Sequence, residues 1–211
     1  MEILSFDTLP STQKYLLEAL RSGHLQAPVA VLAGEQSAGI GSRDNEWKGG
    51  RGNFFASIAV SLDALPEDLP LGSASIYFSY LMKKTLVMLD EKIWLKWPND
   101  FYAGNEKVGG TITQKVENTL VCGIGINLKN SQNGYSALDS ELQPNLLLEK
   151  YLLSLKKLPE WKQIFREYEI EFELSRKFSV HIDSDKKSLK NAKLAEDGSL
   201  MIEGKKVFSL R

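Results

Sequence analysis

Two β-rich runs joined by only two polar residues constrain the fold of this chain more than any other feature. The runs are KVGGTITQKV and TLVCGIGINL, and Glu117 and Asn118 are the residues between them. Threonine, valine and isoleucine favour strands, and so short a connection is typical of a β-hairpin. The sequence therefore predicts that residues 107–128 form two neighbouring strands of a sheet.

The other apolar runs predict further strands and a set of helices. Strands are predicted at residues 2–6, VAVLAGE, NFFASIAVSL and IWLKW. Apolar residues at helical spacing predict helices at QKYLLEALRSG, residues 73–89, NLLLEKYLLSL and EWKQIFREYEIEF. Ser11 is the expected cap of the first helix. In NFFASIAVSL, Ser57 and Ser61 alternate with apolar residues, which predicts a sheet covered on one face only.

The pattern changes again after Arg176. The segment NAKLAEDGSLMIEGKKVFSL contains two turn pairs, Asp197-Gly198 and Glu203-Gly204, between short alternating stretches. This arrangement is typical of a small antiparallel β module. We therefore predict an α/β (α+β) fold, with a mixed β-sheet packed with helices over residues 1–175 and a separate small β domain over residues 176–211.

The composition argues against several classes of function. Among 211 residues, 26 basic side chains are balanced by 27 acidic ones, so no overall positive field would attract a nucleic acid. No apolar stretch approaches the roughly 20 residues that span a bilayer, and no targeting segment is recognisable, which predicts a cytoplasmic protein without a membrane partner. Cys122 is the only cysteine, and neither C-x-x-C nor H-E-x-x-H spacing occurs, so no protein metal site is predicted.

A long glycine-rich stretch, GEQSAGIGSRDNEWKGGRGN, separates two of the predicted strands. It carries Arg43, Trp47, Lys48 and Arg51, which suit a phosphate and an aromatic or apolar group. Its glycines match neither the phosphate-loop spacing nor the dinucleotide-binding spacing. Two interpretations stay open at this point: a loop that wraps a ligand, and a flexible surface loop.

The pentapeptide KWPND follows the predicted IWLKW strand. Pro98 restricts both its own backbone and that of the residue before it, so the strand is expected to end there with Asn99 and Asp100 at its tip. Lys96 is close enough in sequence to pair with Asp100. The pentapeptide is either a capped turn or the polar edge of a ligand site.

Glycines within the predicted hairpin indicate that a ligand or another backbone segment approaches its backbone closely. Gly109–Gly110 follow Lys107, which places a lysine beside such an approach. Gly123 and Gly125 are two residues apart, so they point to the same face of their strand and would leave a cavity there. Asn127 at the end of this strand offers both a donor and an acceptor.

Taken together, these motifs resemble those of the biotin protein ligases. STQKYLL, EQSAG, KWPND, KVGG and GIGINL occur in the order and approximate spacing of that family, and AEDGSLMI resembles its C-terminal SH3-like module. The resemblance covers nearly the whole chain. It implies a catalytic domain with a fold like that of class II aminoacyl-tRNA synthetases. This domain is expected to join biotin to ATP as biotinyl-5′-AMP. The biotinyl group then passes to a lysine of the biotin carboxyl carrier protein domain of acetyl-CoA carboxylase.

The resemblance also implies roles for individual residues. Hydrogen bonds to the ureido head of biotin are expected from Ser11, Thr12 and Gln36. Gln13, also an expected biotin-binding position, stands where the family usually has asparagine. The other expected biotin-binding positions are Gly39, Ile40, Gly41, Ser42, Gly109, Gly110, Gly123 and Gly125. The expected positions for ATP and the adenylate are Arg43, Trp47, Arg51, Asn99 and Asn127.

Lys107 and Asp100 resemble the family residues at the reacting centre. Lys107 is expected to bridge the biotin carboxylate and the α-phosphate, where a positive charge reduces the repulsion between two anions. Mg²⁺ is expected to neutralise the departing pyrophosphate. Asp100 either helps to deprotonate the incoming acceptor lysine or locks the turn that contains it.

The glycine-rich stretch departs from the family pattern, which reads roughly G-R-G-R-x-G-R-x-W. Ile40, Ser42 and Asn45 stand where three arginines are expected to grip the adenylate phosphate. We hypothesise that Arg43 or Arg51 replaces them, because a guanidinium can span a displacement of a few residues. Arg43 is therefore counted among the predicted catalytic residues.

Other functions share part of this pattern. A lipoate-type ligase has the same fold, although its typical motifs differ from KWPND, and a sensor would bind biotin or its adenylate without transferring it. A bifunctional ligase and repressor needs several dozen residues before STQKYLL, which begins at Ser11, so no DNA-binding domain is expected. A homodimer is a further expectation, because dimerisation is common in the family.

Overall fold

A large mixed sheet forms the centre of the molecule. The computed structural model describes residues 1–41, 46–129, 135–182 and 185–208. The sheet contains the strands β1 (Glu2–Leu9), β2 (Val29–Ile40), β3 (Glu46–Gly49), β4 (Phe54–Ser61), β5 (Trp94–Lys96), β6 (Asp100–Ala103), β7 (Glu106–Val116) and β8 (Thr119–Ile126). Their order is β1-β2-β4-β8-β7-β6-β5, and β3 pairs with the far end of β2. Only the β1–β2 pair is parallel among these strands.

Within the described residues, four α-helices cover both faces of this sheet. They are α1 (Thr12–Arg21), α2 (Ala74–Met88), α3 (Pro144–Leu155) and α4 (Trp161–Ser175). Helix α1 buries Leu16 and Leu17 against one face, and the other three helices pack a larger apolar cluster against the opposite face. Within the described ranges, no helix has both the length and the apolar character to cross a bilayer.

The hairpin predicted at residues 107–128 is confirmed as β7 and β8. The two strands are antiparallel, with Val116 opposite Thr119, and Glu117 adopts a positive φ of 49° in the two-residue turn. Cys122 lies fully buried on β8, where burial raises the pKa of its thiol well above the usual value. The predicted mixed sheet with packed helices is confirmed, and Ser11 caps α1 as predicted.

Two sequence expectations about this sheet are wrong. Strand β4 is not covered on one face only: it lies between β2 and β8, and α1 covers the face that carries Ser57, which is fully buried. The glycine-rich stretch is not one loop, because its first seven residues extend β2 to Ile40 and a later part forms β3. As predicted, the strand ends before Pro98: KWPND forms the turn of the tight β5–β6 hairpin, whose second strand β6 was not predicted.

The C-terminal segment forms the small antiparallel β module that the turn pairs predict. It contains β9 (Ser179–Ile182) paired with β10 (Asp185–Ser188), and a second sheet of β11 (Lys193–Leu194), β12 (Leu200–Ile202) and β13 (Lys205–Val207). Glu203 and Gly204 both have positive φ, as a two-residue hairpin turn with the strand twist requires.

This module packs into the main apolar core. Val180 and Leu200 belong to the same buried cluster as the helices α2–α4, and the fully buried Trp97 donates its indole N–H to the Gly198 carbonyl at 3.0 Å. Helix α4 ends at Ser175, where the sequence predicts the domain boundary. The division of the chain into two domains at that point stays a prediction.

The buried Trp97 hydrogen bond predicts a measurable effect on stability. In Trp97→Phe, the Gly198 carbonyl loses its buried donor, so the free energy of unfolding should fall by at least about 1–3 kcal/mol. Trp94→Phe is the matched control, because Trp94 donates to the Gly104 carbonyl at an exposed site and water can replace the indole. Chemical denaturation of both variants should give a loss under about 1 kcal/mol for the control. Equal losses would show that the module is not held through Trp97.

Candidate active site

A cavity opens on the α1 side of the sheet, between the start of α1, the β2–β3 hairpin and the glycine-bearing strands β7 and β8. The empty space inside it amounts to about 630 Å³, including open solvent at its mouth. It is lined by Ser11, Thr12, Gln13, Gln36, Ile40, Gly41, Glu46, Trp47, Ser57, Asn99, Asp100, Lys107, Gly110, Thr111, Ile112, Gly123, Ile124, Gly125 and Tyr135.

The inner end of the cavity is a hydrogen-bonded polar network at the start of α1. Ser11 has extended backbone and its hydroxyl accepts from the Lys14 N–H, which begins the helix. The Gln36 Oε1 atom accepts from the Thr12 N–H at 2.7 Å and from the Thr12 hydroxyl at 3.1 Å. The Ser57 hydroxyl donates to Thr12 Oγ1 at 2.9 Å. Because these contacts use buried groups, they fix the orientation of the Gln36 amide.

Three polar side chains that line the cavity remain unsatisfied within the described residues. Both polar atoms of the Gln13 amide, the Trp47 indole N–H and the Thr111 hydroxyl are buried without a hydrogen-bond partner there. Leaving a buried polar group unpaired is unfavourable by about 1–3 kcal/mol. Groups of this kind indicate a ligand that supplies the missing donors and acceptors.

Glycines on β8 allow these side chains to lie directly on the sheet. A Cβ atom at Gly123 would stand 2.6 Å from Gln13 Oε1, and a Cβ atom at Gly125 would stand 2.6 Å from Trp47 Nε1. The two glycines therefore make room for Gln13 and Trp47, and these in turn form walls of the cavity.

The mouth of the cavity carries its charged groups. Lys107 Nζ lies 2.6 Å from Asp100 Oδ1 and 5.6 Å from the centre of the Tyr135 ring. Lys96, on the other side of the β5–β6 turn, lies 3.6 Å from Asp100 Oδ2, as its sequence position suggested. Burial raises the pKa of the Tyr102 hydroxyl to about 12, and the negative charge of Asp100 adds to the shift.

An aromatic pair closes one side of the cavity. The rings of Trp47 and Tyr135 are stacked with their centres 5.6 Å apart. Asn127 and Lys107 hold the segment that contains Tyr135, since the Asn127 amide donates to the Ser136 carbonyl and the Ser136 N–H donates to the Lys107 carbonyl. Asn99 is held as well, because its amide donates to the Thr111 carbonyl.

The structure brings most of the predicted site residues together. Those that line the cavity are Ser11, Thr12, Gln13, Gln36, Ile40, Gly41, Trp47, Asn99, Asp100, Lys107, Gly110, Gly123 and Gly125. Four others lie outside its lining. Gly39 and Gly109 allow close backbone approach, to the Trp47 and Gly125 carbonyls respectively, and Asn127 positions a neighbouring segment.

Arg51 is the fourth residue outside the lining, and it is engaged elsewhere. Its guanidinium makes two hydrogen bonds to Asp7, at 2.5 and 2.6 Å, and lies 3.5 Å from Glu35. The hydrogen bonds from Arg51 lower the pKa of the Asp7 carboxyl. Ser42 and Arg43 lie outside the described residues. The hypothesis that Arg43 or Arg51 replaces the family arginines stays a prediction.

Six lining residues were not predicted from the sequence: Glu46, Ser57, Thr111, Ile112, Ile124 and Tyr135. The pairing of β7 and β8 carried a signal for two of them, because Ile112 lies opposite Gly123 and Thr111 directly follows Gly110 on β7. Tyr135 is an isolated aromatic residue in a polar segment. Its role depends on contacts with β3 and β7 that no local pattern reveals.

Comparison with known proteins identifies the family of this chain. The model of the biotin/lipoate A/B protein ligase family matches residues 5–130, which is more than half of the chain. This chain belongs to the biotin/lipoate A/B protein ligase family. The bifunctional ligase/repressor BirA of Escherichia coli (strain K12) is 32% identical over 128 residues, which are 57% of this chain and 38% of that protein. The chain therefore matches well under half the length of this curated relative.

Solved structures of this ligase family are similar over almost the whole chain. The biotin acetyl coenzyme A carboxylase synthetase from Helicobacter pylori, with bound biotinylated ATP, has a TM-score of 0.93 and 39% identity, and the match covers 98% of this chain and 99% of that one. The biotin protein ligase from Aquifex aeolicus in complex with biotin and ATP has a TM-score of 0.79, covering 100% and 96% of the two chains. At 20% identity, the second likeness supports the fold alone.

The unpaired Gln13 amide predicts a substitution that stabilises the ligand-free protein. Gln13→Met removes a buried amide without partners among the described residues, so the free energy of unfolding should rise by about 1 kcal/mol. Gln36→Met is the matched control: it leaves the Thr12 N–H unpaired and should lower the same quantity by about 1–3 kcal/mol. Chemical denaturation without ligand measures both. A loss of stability in Gln13→Met as large as that of the control would contradict the prediction.

Proposed function

We propose that this chain is an ATP-dependent biotin protein ligase. It would activate biotin as biotinyl-5′-AMP and transfer the biotinyl group to a lysine of a biotin carboxyl carrier protein domain of acetyl-CoA carboxylase. The observation that carries the proposal is the position of Lys107, whose ammonium lies at the mouth of a cavity with buried, uncharged hydrogen-bonding groups at its inner end. The relative from Helicobacter pylori, similar over almost the whole chain, supports it.

The inner end of the cavity suits a neutral polar ring. The ureido group of biotin has one carbonyl acceptor and two N–H donors, which must find partners when water is removed. Ser11, Thr12, Gln13 and Gln36 offer such partners around one volume. The less polar part of biotin would lie along Gly123 and Gly125, with the Trp47 ring as a wall.

The outer end suits the acid tail and the triphosphate. In the first step, a biotin carboxylate oxygen bonds to the α-phosphorus of ATP, and the bond from that phosphorus to the pyrophosphate oxygen breaks. The carboxylate and the phosphates repel each other, and the Lys107 ammonium would reduce this repulsion and stabilise the charge of the transition state. The stacked rings of Trp47 and Tyr135 also line the outer end of the cavity and offer an aromatic surface there.

A magnesium ion would enter with the nucleotide. The described residues contain no group of three or more histidine, cysteine, aspartate or glutamate side chains placed to hold a metal. This fits Mg²⁺ that is bound through substrate phosphates and waters with at most one or two carboxylates, of which Asp100 and Glu46 line the cavity. When bound, the ion would neutralise the departing pyrophosphate.

In the second step, the acceptor lysine amine bonds to the biotinyl carbonyl carbon, and the bond from that carbon to the AMP oxygen breaks. The amine must lose a proton. Two roles for Asp100 are consistent with its position: it would accept this proton, or it would hold Lys107 and the β5–β6 turn in place.

Cytoplasmic location, the absence of a nucleic-acid partner and dimerisation stay predictions.

A lipoate-type ligase is the second candidate, because the matching family includes both activities. The dithiolane ring of lipoate offers no N–H donor or carbonyl, so it would leave the inner amides unpaired. Adenylate formation with biotin and with lipoate, each measured by ATP–pyrophosphate exchange, separates the two. Equal or better use of lipoate would contradict a biotin ligase. Adenylate formation without labelling of a carrier domain would instead support a sensor.

Lys107→Ala tests the proposed chemistry. Loss of one preorganised cation at the reacting centre should slow adenylate formation by about 10²- to 10³-fold, while Lys107→Arg should lose less because it keeps the charge. Biotin-dependent ATP–pyrophosphate exchange measures the first step, and labelling of a biotin carrier domain measures both. Lys84→Ala is the control, since Lys84 pairs with Glu167 between α2 and α4. Normal exchange by Lys107→Ala would refute the assigned role.

A further inference from the structure

Each oxygen of the Asp100 carboxylate contacts a different lysine. Oδ1 lies 2.6 Å from Lys107 Nζ, and Oδ2 lies 3.6 Å from Lys96 Nζ. Lys96 and Asp100 are paired opposite each other in the β5–β6 hairpin, whereas Lys107 comes from the neighbouring strand β7. Of these three residues, only Asp100 and Lys107 line the cavity. The second lysine is therefore placed behind the carboxylate, away from the substrates.

Lys96 is held in this place by its surroundings. Only 8% of the residue is exposed, and its ammonium lies 5.5 Å from the centre of the Tyr102 ring and 5.9 Å from that of Phe178. Aromatic faces attract a cation, and a buried ammonium requires such partners together with a carboxylate. Phe178 directly precedes β9, so the C-terminal module supplies one of the two rings.

In the proposed reaction, Asp100 would compete with the anionic substrates for the Lys107 ammonium, and the second lysine reduces this competition. Lys107 must leave Asp100, at least in part, to contact the biotin carboxylate and the α-phosphate. An Asp100 with no other cation nearby would then compete for Lys107 and repel both substrates. With Lys96 on its second oxygen, Asp100 keeps a positive neighbour after Lys107 has turned to the substrates.

We propose that Lys96 is a positioning residue for adenylate formation, which neutralises Asp100 and so makes the Lys107 ammonium available to the anionic substrates. This inference rests on the proposed function. It assigns Lys96 no contact with either substrate. Its effect acts through Asp100, so removing the Asp100 charge must remove the need for Lys96.

The test is a double-mutant cycle on the first step. In Lys96→Met, the kcat/KM of biotin-dependent ATP–pyrophosphate exchange should fall about 10- to 100-fold, mainly through higher KM values for ATP and biotin. In Lys96→Met combined with Asp100→Asn, kcat/KM should be at least about tenfold higher than in Lys96→Met alone, because the uncompensated carboxylate is gone. Pyrophosphate exchange measures adenylate formation alone, without transfer to the acceptor lysine. A role of Asp100 in the second step therefore does not affect the measured rate.

Two further variants separate electrostatics from folding. Lys96→Arg keeps the cation beside Asp100 and should retain activity within about threefold of the wild type. Lys84→Met removes a lysine paired with Glu167 between α2 and α4 and should leave exchange unchanged. Lys96→Met is expected to fold, because Asp100 keeps Lys107 as its partner, and thermal unfolding of each variant checks this.

The outcomes distinguish this inference from the proposed function. Exchange by Lys96→Met at the wild-type rate, or a double variant no better than Lys96→Met, would overturn the role of Lys96 while the wild type remains an active ligase. A wild-type protein that shows no biotin-dependent exchange would overturn the proposed function and this inference with it.

Discussion

The absence of side chains at Gly123 and Gly125 is the constraint on which the rest of the structure depends. Strand β8 lies at the centre of the sheet, between β4 and β7, and its glycines face α1 and the β2–β3 hairpin. Any Cβ there would meet Gln13 or Trp47 well inside van der Waals contact. The same two positions therefore allow α1 and β3 to approach the sheet and leave a cavity between them.

The two ends of this cavity differ in their physical chemistry. The inner end is uncharged and buried, and its amides and hydroxyls are fixed by one another or left for a ligand. The outer end carries Lys107 and Asp100 beside a stacked aromatic pair. A ligand with a neutral polar head and an anionic tail would match both ends at once, and its tail would meet the ammonium.

The hairpin that carries Asp100 is positioned from two sides. Side chains of α4 cover the edge of β5, since Glu171 accepts from the Leu95 N–H and Ser175 accepts from the Trp97 N–H. The C-terminal module contacts the same hairpin through Gly198 and Phe178. Although distant in sequence, these segments share one apolar core with the sheet. The position of the charged groups thus depends on packing along nearly the whole chain.

The sequence by itself determined the elements whose signals are local. The β7–β8 hairpin, the four helices and the C-terminal turns follow from periodicity, strand propensity and short polar connections, each of which acts within a few residues. The resemblance of the motifs to biotin protein ligases also predicted Lys107, Asp100, Gln13 and most of the other residues that line the cavity. Only the tertiary structure decided what depends on distant partners. Ser57 is buried because α1 crosses β4, and Tyr135 enters the site because it stacks on Trp47. The pairing of Lys96 with Asp100 was readable from their spacing, but the contact of Lys96 with Phe178 was not, because Phe178 is distant in sequence.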